Sequence, residues 1–266
     1  MKALPRCFPC AFCAAFFLSF PSGAATEVAT IQDSSFMMRQ KTFDRVRVAF
    51  ISKGRAVQQN LRGHGLRARD FHLLVVVFKA EARLELYGKA SGAKRYGRIA
   101  TYDICALSGG LGPKRRQGDR QVPEGFYEID RFNPQSRYFL SLGLDYPNTA
   151  DRLKNAADGD PGGDIFIHGD CVSIGCLAMT DDKIQEIYLY ALFARESGQE
   201  RIPVYSFPFR MTKANFAHYA EKYRDQPDLL AFWKTLQTGF SRFETSGFAL
   251  PVRVDAQGNY RFDPDE

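Results

Sequence analysis

Phe71-His72-Leu73-Leu74-Val75-Val76-Val77-Phe78 is the stretch that decides the fold. It is apolar at every position but one and strongly β-branched and aromatic, so it reads as a strand. After Lys79-Ala80-Glu81, the run Ala82 to Tyr87 alternates Leu84 and Leu86 with charged neighbours, and the two runs predict a hairpin. Further strands are expected at Arg98–Leu107, ended by Gly109-Gly110-Leu111-Gly112-Pro113, and at Phe126–Ile129, Arg137–Leu140, Asp164–His168 and Ile202–Phe207. Helical spacing covers Thr42–Leu61, interrupted by Gly54, then Thr180–Glu196 behind the cap candidates Thr180 and Asp181, Thr212–Lys222 and Asp228–Gln237. Phe248 to Phe262 reads as a terminal hairpin around Gln257-Gly258-Asn259. The fold class expected is mainly β (α+β). A core at about residues 70–208 follows an N-terminal helical segment (26–69) and precedes a helical and hairpin extension (209–266).

Residues 1–25 stand apart. Lys2 and Arg6 open the chain, Cys7 to Phe20 is almost wholly apolar, and Pro21-Ser22-Gly23-Ala24-Ala25 offers the small residues that a signal peptidase accepts. The apolar run is short for a membrane span, so a cleaved signal peptide and export to the periplasm are expected, with a retained anchor as the alternative. Its two cations leave with it, taking the formal charge from +6 to +4. So modest a charge argues against a nucleic-acid partner. Three cysteines leave too, and Cys105, Cys171 and Cys176 remain. In an oxidising compartment an odd count means a free thiol or an intermolecular bridge.

The chemistry concentrates in Asp164-Ile165-Phe166-Ile167-His168-Gly169-Asp170-Cys171-Val172-Ser173-Ile174-Gly175-Cys176. An apolar strand ends at His168-Gly169, and Gly175-Cys176 stands just ahead of the capped helix. An imidazole or a helix N-terminus nearby lowers a thiol pKa from its ordinary value of about 8.5. Gly175 permits close backbone approach to a carbonyl, where its amide and that of Cys176 are oxyanion candidates. Ser173 can donate or accept a hydrogen bond beside the loop. Spacing alone leaves three readings open: a nucleophile with its base, a Cys171–Cys176 disulfide, or zinc held by His168, Cys171 and Cys176. The zinc reading lacks a fourth ligand at a familiar spacing.

His-Gly followed by Ser-x-Gly-Cys resembles the active-site signature of the L,D-transpeptidase catalytic domain, the YkuD-type family, and is most similar to its YafK-like branch. Ser108 to Asp119 followed by Val122-Pro123-Glu124-Gly125-Phe126-Tyr127 resembles the family's Gly-rich turn and strand entrance, and Tyr205 to Thr212 resembles the sequence after the catalytic helix. The resemblance implies a curved β-rich sandwich with the cysteine in a cleft. Cys176 would be the nucleophile and His168 the base, with Gly175 serving the oxyanion and Gly169 and Ser173 shaping the loop. Neither metal nor organic cofactor is implied. Two departures from the family pattern stand out. Ile174 occupies the place of a second His, and Leu177-Ala178-Met179 offers no Arg or Asn after the cysteine.

The activity expected is acyl transfer through a Cys176 thioacyl-enzyme at meso-diaminopimelate in peptidoglycan stem peptides. One alternative is an amidase that cuts the link between diaminopimelate and murein-bound outer-membrane lipoprotein. Another, of a different class, is a non-catalytic peptidoglycan-binding protein. Lys114, Arg115 and Arg116 are candidates to meet stem-peptide carboxylates.

Overall fold

The computed structural model describes residues 35–155 and 159–263, so the expected signal peptide lies outside the described residues. In chain order the elements are α1 (Phe36–Gln40), α2 (Asp44–Gly63), β1 (His72–Phe78), β2 (Arg83–Lys89), β3 (Gly97–Asp103), β4 (Gly125–Asn133), β5 (Ser141–Leu144), α3 (Thr149–Asn155), β6 (Phe166–His168), β7 (Leu177–Ala178), α4 (Asp181–Glu196), β8 (Ile202–Phe207), α5 (Lys213–Lys222), α6 (Pro227–Ser246), β9 (Val252–Val254) and β10 (Tyr260–Phe262). Strands β1 to β8 form one mixed sheet in the order β3-β2-β1-β8-β4-β5-β6-β7, and β9 and β10 form a separate antiparallel hairpin. The expected mainly β, α+β class holds.

β1 shows why its sequence is apolar from Leu73 onward. Leu73, Val75 and Val77 face a core shared with Val46, Val57 and Leu61 of α2 and with the buried side of α4. Leu74, Val76 and Phe78 face a second core with Trp233, Leu236, Phe240 and Phe243 of α6 and Tyr260 of the hairpin. A strand covered on both faces has no polar side to present.

The sheet curves until its two edges meet. Just beyond β3 at one edge, Ala106 makes an isolated bridge to Ala178 of β7 at the other. The amide of Cys105 donates to the Ala178 carbonyl at 2.8 Å, and a Cys105–Cys171 disulfide fastens this seam.

Three expectations shift. The strand expected at Arg137–Leu140 is a turn, and pairing begins only at Ser141. Phe139 has φ +67°, and Arg45 on α2 donates to the carbonyls of Ser136 and Phe139, which holds the chain in that turn. The strand expected to reach Leu107 ends its regular pairing at Asp103, where the chain leaves to form the seam. Finally, α6 runs on to Ser246 rather than ending near Gln237. Gly239 is no break there, because a Cβ would fall 2.7 Å from the Phe126 ring and 2.8 Å from the Phe262 ring.

Candidate active site

β6 and β7 are parallel, with Ile167 opposite Leu177 and His168 opposite Ala178. Continuing that register by one residue sets Cys176 beside Phe166. Because side chains alternate along a strand, Cys176, Phe166 and His168 share one face of the sheet. His168 and Cys176 are therefore diagonal neighbours on adjacent strands, although a loop separates them in sequence.

His168 is buried, and its Nδ1 lies 2.5 Å from the Gly169 carbonyl oxygen. A carbonyl can only accept, so Nδ1 carries the proton and Nε2 keeps its lone pair. Burial lowers the imidazole pKa below its ordinary value; the Gly169 carbonyl and Asp170 oppose the shift but do not reverse it. The ring packs against Tyr138, with centroids 4.7 Å apart and planes 32° from parallel.

Cys176 is the free thiol among the described residues, since Cys105 and Cys171 are joined. That pairing excludes the Cys171–Cys176 bridge and removes Cys171 as a zinc ligand. No metal-binding cluster of His, Cys, Asp and Glu occurs among the described residues. The Cys176 thiol donates to the Asp164 carbonyl at 3.6 Å. Burial pushes its pKa up; the Phe166 amide and the charge of Lys114 pull it down, Asp164 pushes it further up, and the net shift is upward. At rest the site thus holds a neutral thiol beside a neutral imidazole. The N-terminus of α4 is occupied in its own way: Thr180 Oγ1 caps it by accepting from the Lys183 amide, and Asp181 accepts the Asp170 amide at 2.9 Å.

Hydrogen bonds order the loop between the two residues. Ser173 Oγ donates to the Cys176 carbonyl at 2.7 Å, accepts the Gly175 amide at 3.2 Å and lies 3.1 Å from Ser108 Oγ of the Gly-rich segment. The Gly175 amide is thereby spent within the loop. Gly175 has φ +134°, and a Cβ there would approach the Gln121 carbonyl to 3.3 Å. At Gly169 a Cβ would sit 2.5 Å from Asp181 Oδ1 and 3.0 Å from the Tyr138 carbonyl.

The three cations of the Gly-rich loop part company. Lys114 is buried, donating to Asp119 Oδ1 at 2.6 Å and to the Arg116 carbonyl at 2.8 Å. Arg115 lies over the Phe232 ring of α6, and Arg116 is exposed. A buried cluster holds this loop from behind. Lys79 Nζ donates to Glu124 Oε1 at 2.9 Å and to the carbonyls of Gly112 and Val122, while Trp233 Nε1 donates to Glu124 Oε2 at 2.8 Å. Sequence reasoning missed Tyr138, Arg45 and this cluster. Each acts across 30 or more positions of sequence, and their residue types carry no spacing signal.

Residues 73–205 match the model of the YkuD family, the L,D-transpeptidase catalytic domain. The chain is 44% identical over 188 residues to the protein of Escherichia coli K12 named "Putative L,D-transpeptidase YafK", covering 70% of this chain and 72% of that one. The chain belongs to the L,D-transpeptidase catalytic-domain family. Among solved structures it is similar to the helical cell shape determining protein Pgp2 of Campylobacter jejuni (20% identity, TM-score 0.41, 70% of this chain and 74% of that one). It is also similar to Bd1075 of Bdellovibrio bacteriovorus (16% identity, TM-score 0.36, 70% and 75%).

Proposed function

We propose that this protein is an exported enzyme of the bacterial cell wall that carries out acyl transfer at meso-diaminopimelate in peptidoglycan stem peptides, with Cys176 as nucleophile and His168 as base. The observation that carries this reading is the pairing of the free thiol with an imidazole on the same sheet face, its Nδ1 proton committed to Gly169 and its Nε2 left basic. Family membership supports peptidoglycan as the substrate. The N-terminal sequence supports export to the periplasm.

In the first half-reaction the Cys176 proton passes to His168 Nε2 as sulfur adds to the carbonyl carbon. The negative oxygen meets the Cys176 amide, the donor left once the Gly175 amide is engaged by Ser173. Collapse expels the amine, which takes the proton from Nε2, and a thioester remains on Cys176. In the second half an amine or a water adds to the thioester and gives its proton to Nε2. That proton returns to sulfur as the thiolate leaves. All of these steps run on side chains and backbone of this chain, with no cofactor.

A second reading, hydrolysis at the link between diaminopimelate and murein-bound lipoprotein, is favoured by the loop itself. Ile174 is apolar and 76% exposed, and Leu177 to Met179 are buried. Neither position presents a polar group to an incoming amine acceptor. Incubating sacculi with wild type, Cys176→Ala and His168→Ala, and resolving the muropeptides by mass spectrometry, tests both readings. Products altered by the wild type alone support the thiol mechanism, and their masses separate bonds made from bonds cut. Identical products from all three proteins leave a wall-binding protein as the better account.

A further inference from the structure

The Gly-rich loop sends two consecutive side chains to different places. Lys114 turns inward to Asp119, close enough for its charge to act on Cys176. Arg115 lies over Phe232, 5.8 Å from the ring centroid, and forms one wall of a cleft of about 640 Å³. The other walls are the first turns of α6, Lys154 near the end of α3, and the β9–β10 turn. The cleft thus lies largely in the extension beyond the family block, which ends at residue 205.

Its walls are held in place by the fold. Asp119 Oδ2 accepts the amides of Arg115 and Arg116 at 2.8 and 3.0 Å, fixing the loop backbone. Gly258, with φ +77°, seats the hairpin turn so tightly on α3 that a Cβ would fall 3.0 Å from Leu153 and 3.1 Å from the Ala150 carbonyl. Lys154 Nζ donates to Asn259 Oδ1 at 2.6 Å across that contact.

The charges in the cleft are not balanced. Arg261 is neutralised by Asp255 at 2.8 Å. Arg115 donates to the neutral Asn155 Oδ1 at 3.4 Å and Lys154 to the neutral Asn259; neither forms an ion pair among the described residues, and the carboxyl that the Arg115 charge acts on, Asp151, is buried and does not line the cleft. Asp228 likewise forms no ion pair among the described residues, so the lining presents two cations and one carboxylate outside any ion pair around an aromatic wall. Phosphate-rich ligands want more cations and no anion. A ligand end carrying a carboxylate beside an amine matches both signs, and a guanidinium suits a carboxylate particularly well.

The geometry points to a second binding site in this cleft for the free amino-acid end of a peptide, its carboxylate on Arg115 and Lys154 and its ammonium toward Asp228. The inference rests on the reading that the substrate is a wall peptide, and it assigns the C-terminal extension to substrate selection. One loop then serves both places, with Lys114 on the reacting side and Arg115 on the selecting side.

The test uses full-length protein carrying Cys176→Ala, so that binding is measured without turnover. The probe is the tripeptide L-alanyl-γ-D-glutamyl-meso-diaminopimelate, titrated by calorimetry and by amide shifts in NMR, with a fully carboxamidated tripeptide as control. The expected result is binding that shifts the Gly258 and Asn259 amides. It should weaken about tenfold or more in Arg115→Gln and in Lys154→Gln, and in the carboxamide control. Unchanged affinity in both variants with native spectra elsewhere, or no shift at Gly258 and Asn259, overturns the inference. Turnover of sacculi by the wild type is a separate result, so failure of the thiol mechanism and failure of the cleft are distinguishable.

Discussion

Breaking the seam of the sheet should be costly, and its cost has two separable parts. The Cys105–Cys171 bridge spans a sequence separation of 66. For a loop of that length, the chain entropy removed from the unfolded state is worth about 4 kcal/mol. The double substitution Cys105→Ser/Cys171→Ser should therefore lower the melting temperature by roughly 8–16 °C, at 2–4 °C per kcal/mol for a domain of this size. Circular dichroism melts in the presence and absence of dithiothreitol measure this, and the reduced wild type should coincide with the double variant. The single variant Cys105→Ser should behave worse in one respect. It frees Cys171 on the same loop as Cys176, five positions away. Under oxidising conditions that thiol should capture the nucleophile, so activity falls below that of the double variant and returns on reduction. A double variant melting within about 1 °C of the oxidised wild type, with reductant making no difference, would refute the reasoning.

Three further outcomes follow from the site. Burial holds the His168 pKa below its ordinary value of 6.5, so the imidazole stays basic until the pH falls past that value; the acidic limb of kcat/KM should lie below pH 6.5, and a limb at or above it contradicts the assignment. Tyr138→Ala should cost roughly 2- to 10-fold in kcat/KM and move that limb upward as water reaches the ring, whereas Tyr138→Phe, which keeps the 4.7 Å ring contact, should leave both in place. Glu124→Gln leaves the buried Lys79 ammonium without a carboxylate and should cost about 3–5 kcal/mol in urea unfolding. The emission of Trp233, the chain's single tryptophan and a donor to Glu124, should change with it.

What the sequence made legible was whatever a short stretch settles by itself. The run at Phe71 announced a strand, and Thr180 and Thr212 announced helix starts that the structure places at those caps. His168 and Cys176 stood out as candidates only through the resemblance of the motif around them to the family signature. Their relation in space was not legible, because it depends on β7, a strand of two residues recognisable only by its partners. The Arg137–Leu140 segment misled for a similar reason. Its aromatic and aliphatic residues favour a strand, but Arg45, from a helix more than 90 positions earlier, holds it as the turn that carries Tyr138. The partner of Cys171 was hidden too. Cys176 is nearer in sequence, and only the closing of the sheet brings Cys105 alongside.

The central claim is that Cys176 carries the acyl group. The most direct test is to quench the wild-type protein with acid shortly after mixing with a diaminopimelate-containing muropeptide and to map its peptides by mass spectrometry. The account predicts a mass increase on the peptide containing Cys176, equal to the acyl part of the muropeptide and removed by hydroxylamine. That increase should be absent in Cys176→Ala and strongly reduced in His168→Ala. Muropeptide turnover that persists in Cys176→Ala, or an adduct on any other residue, would contradict it.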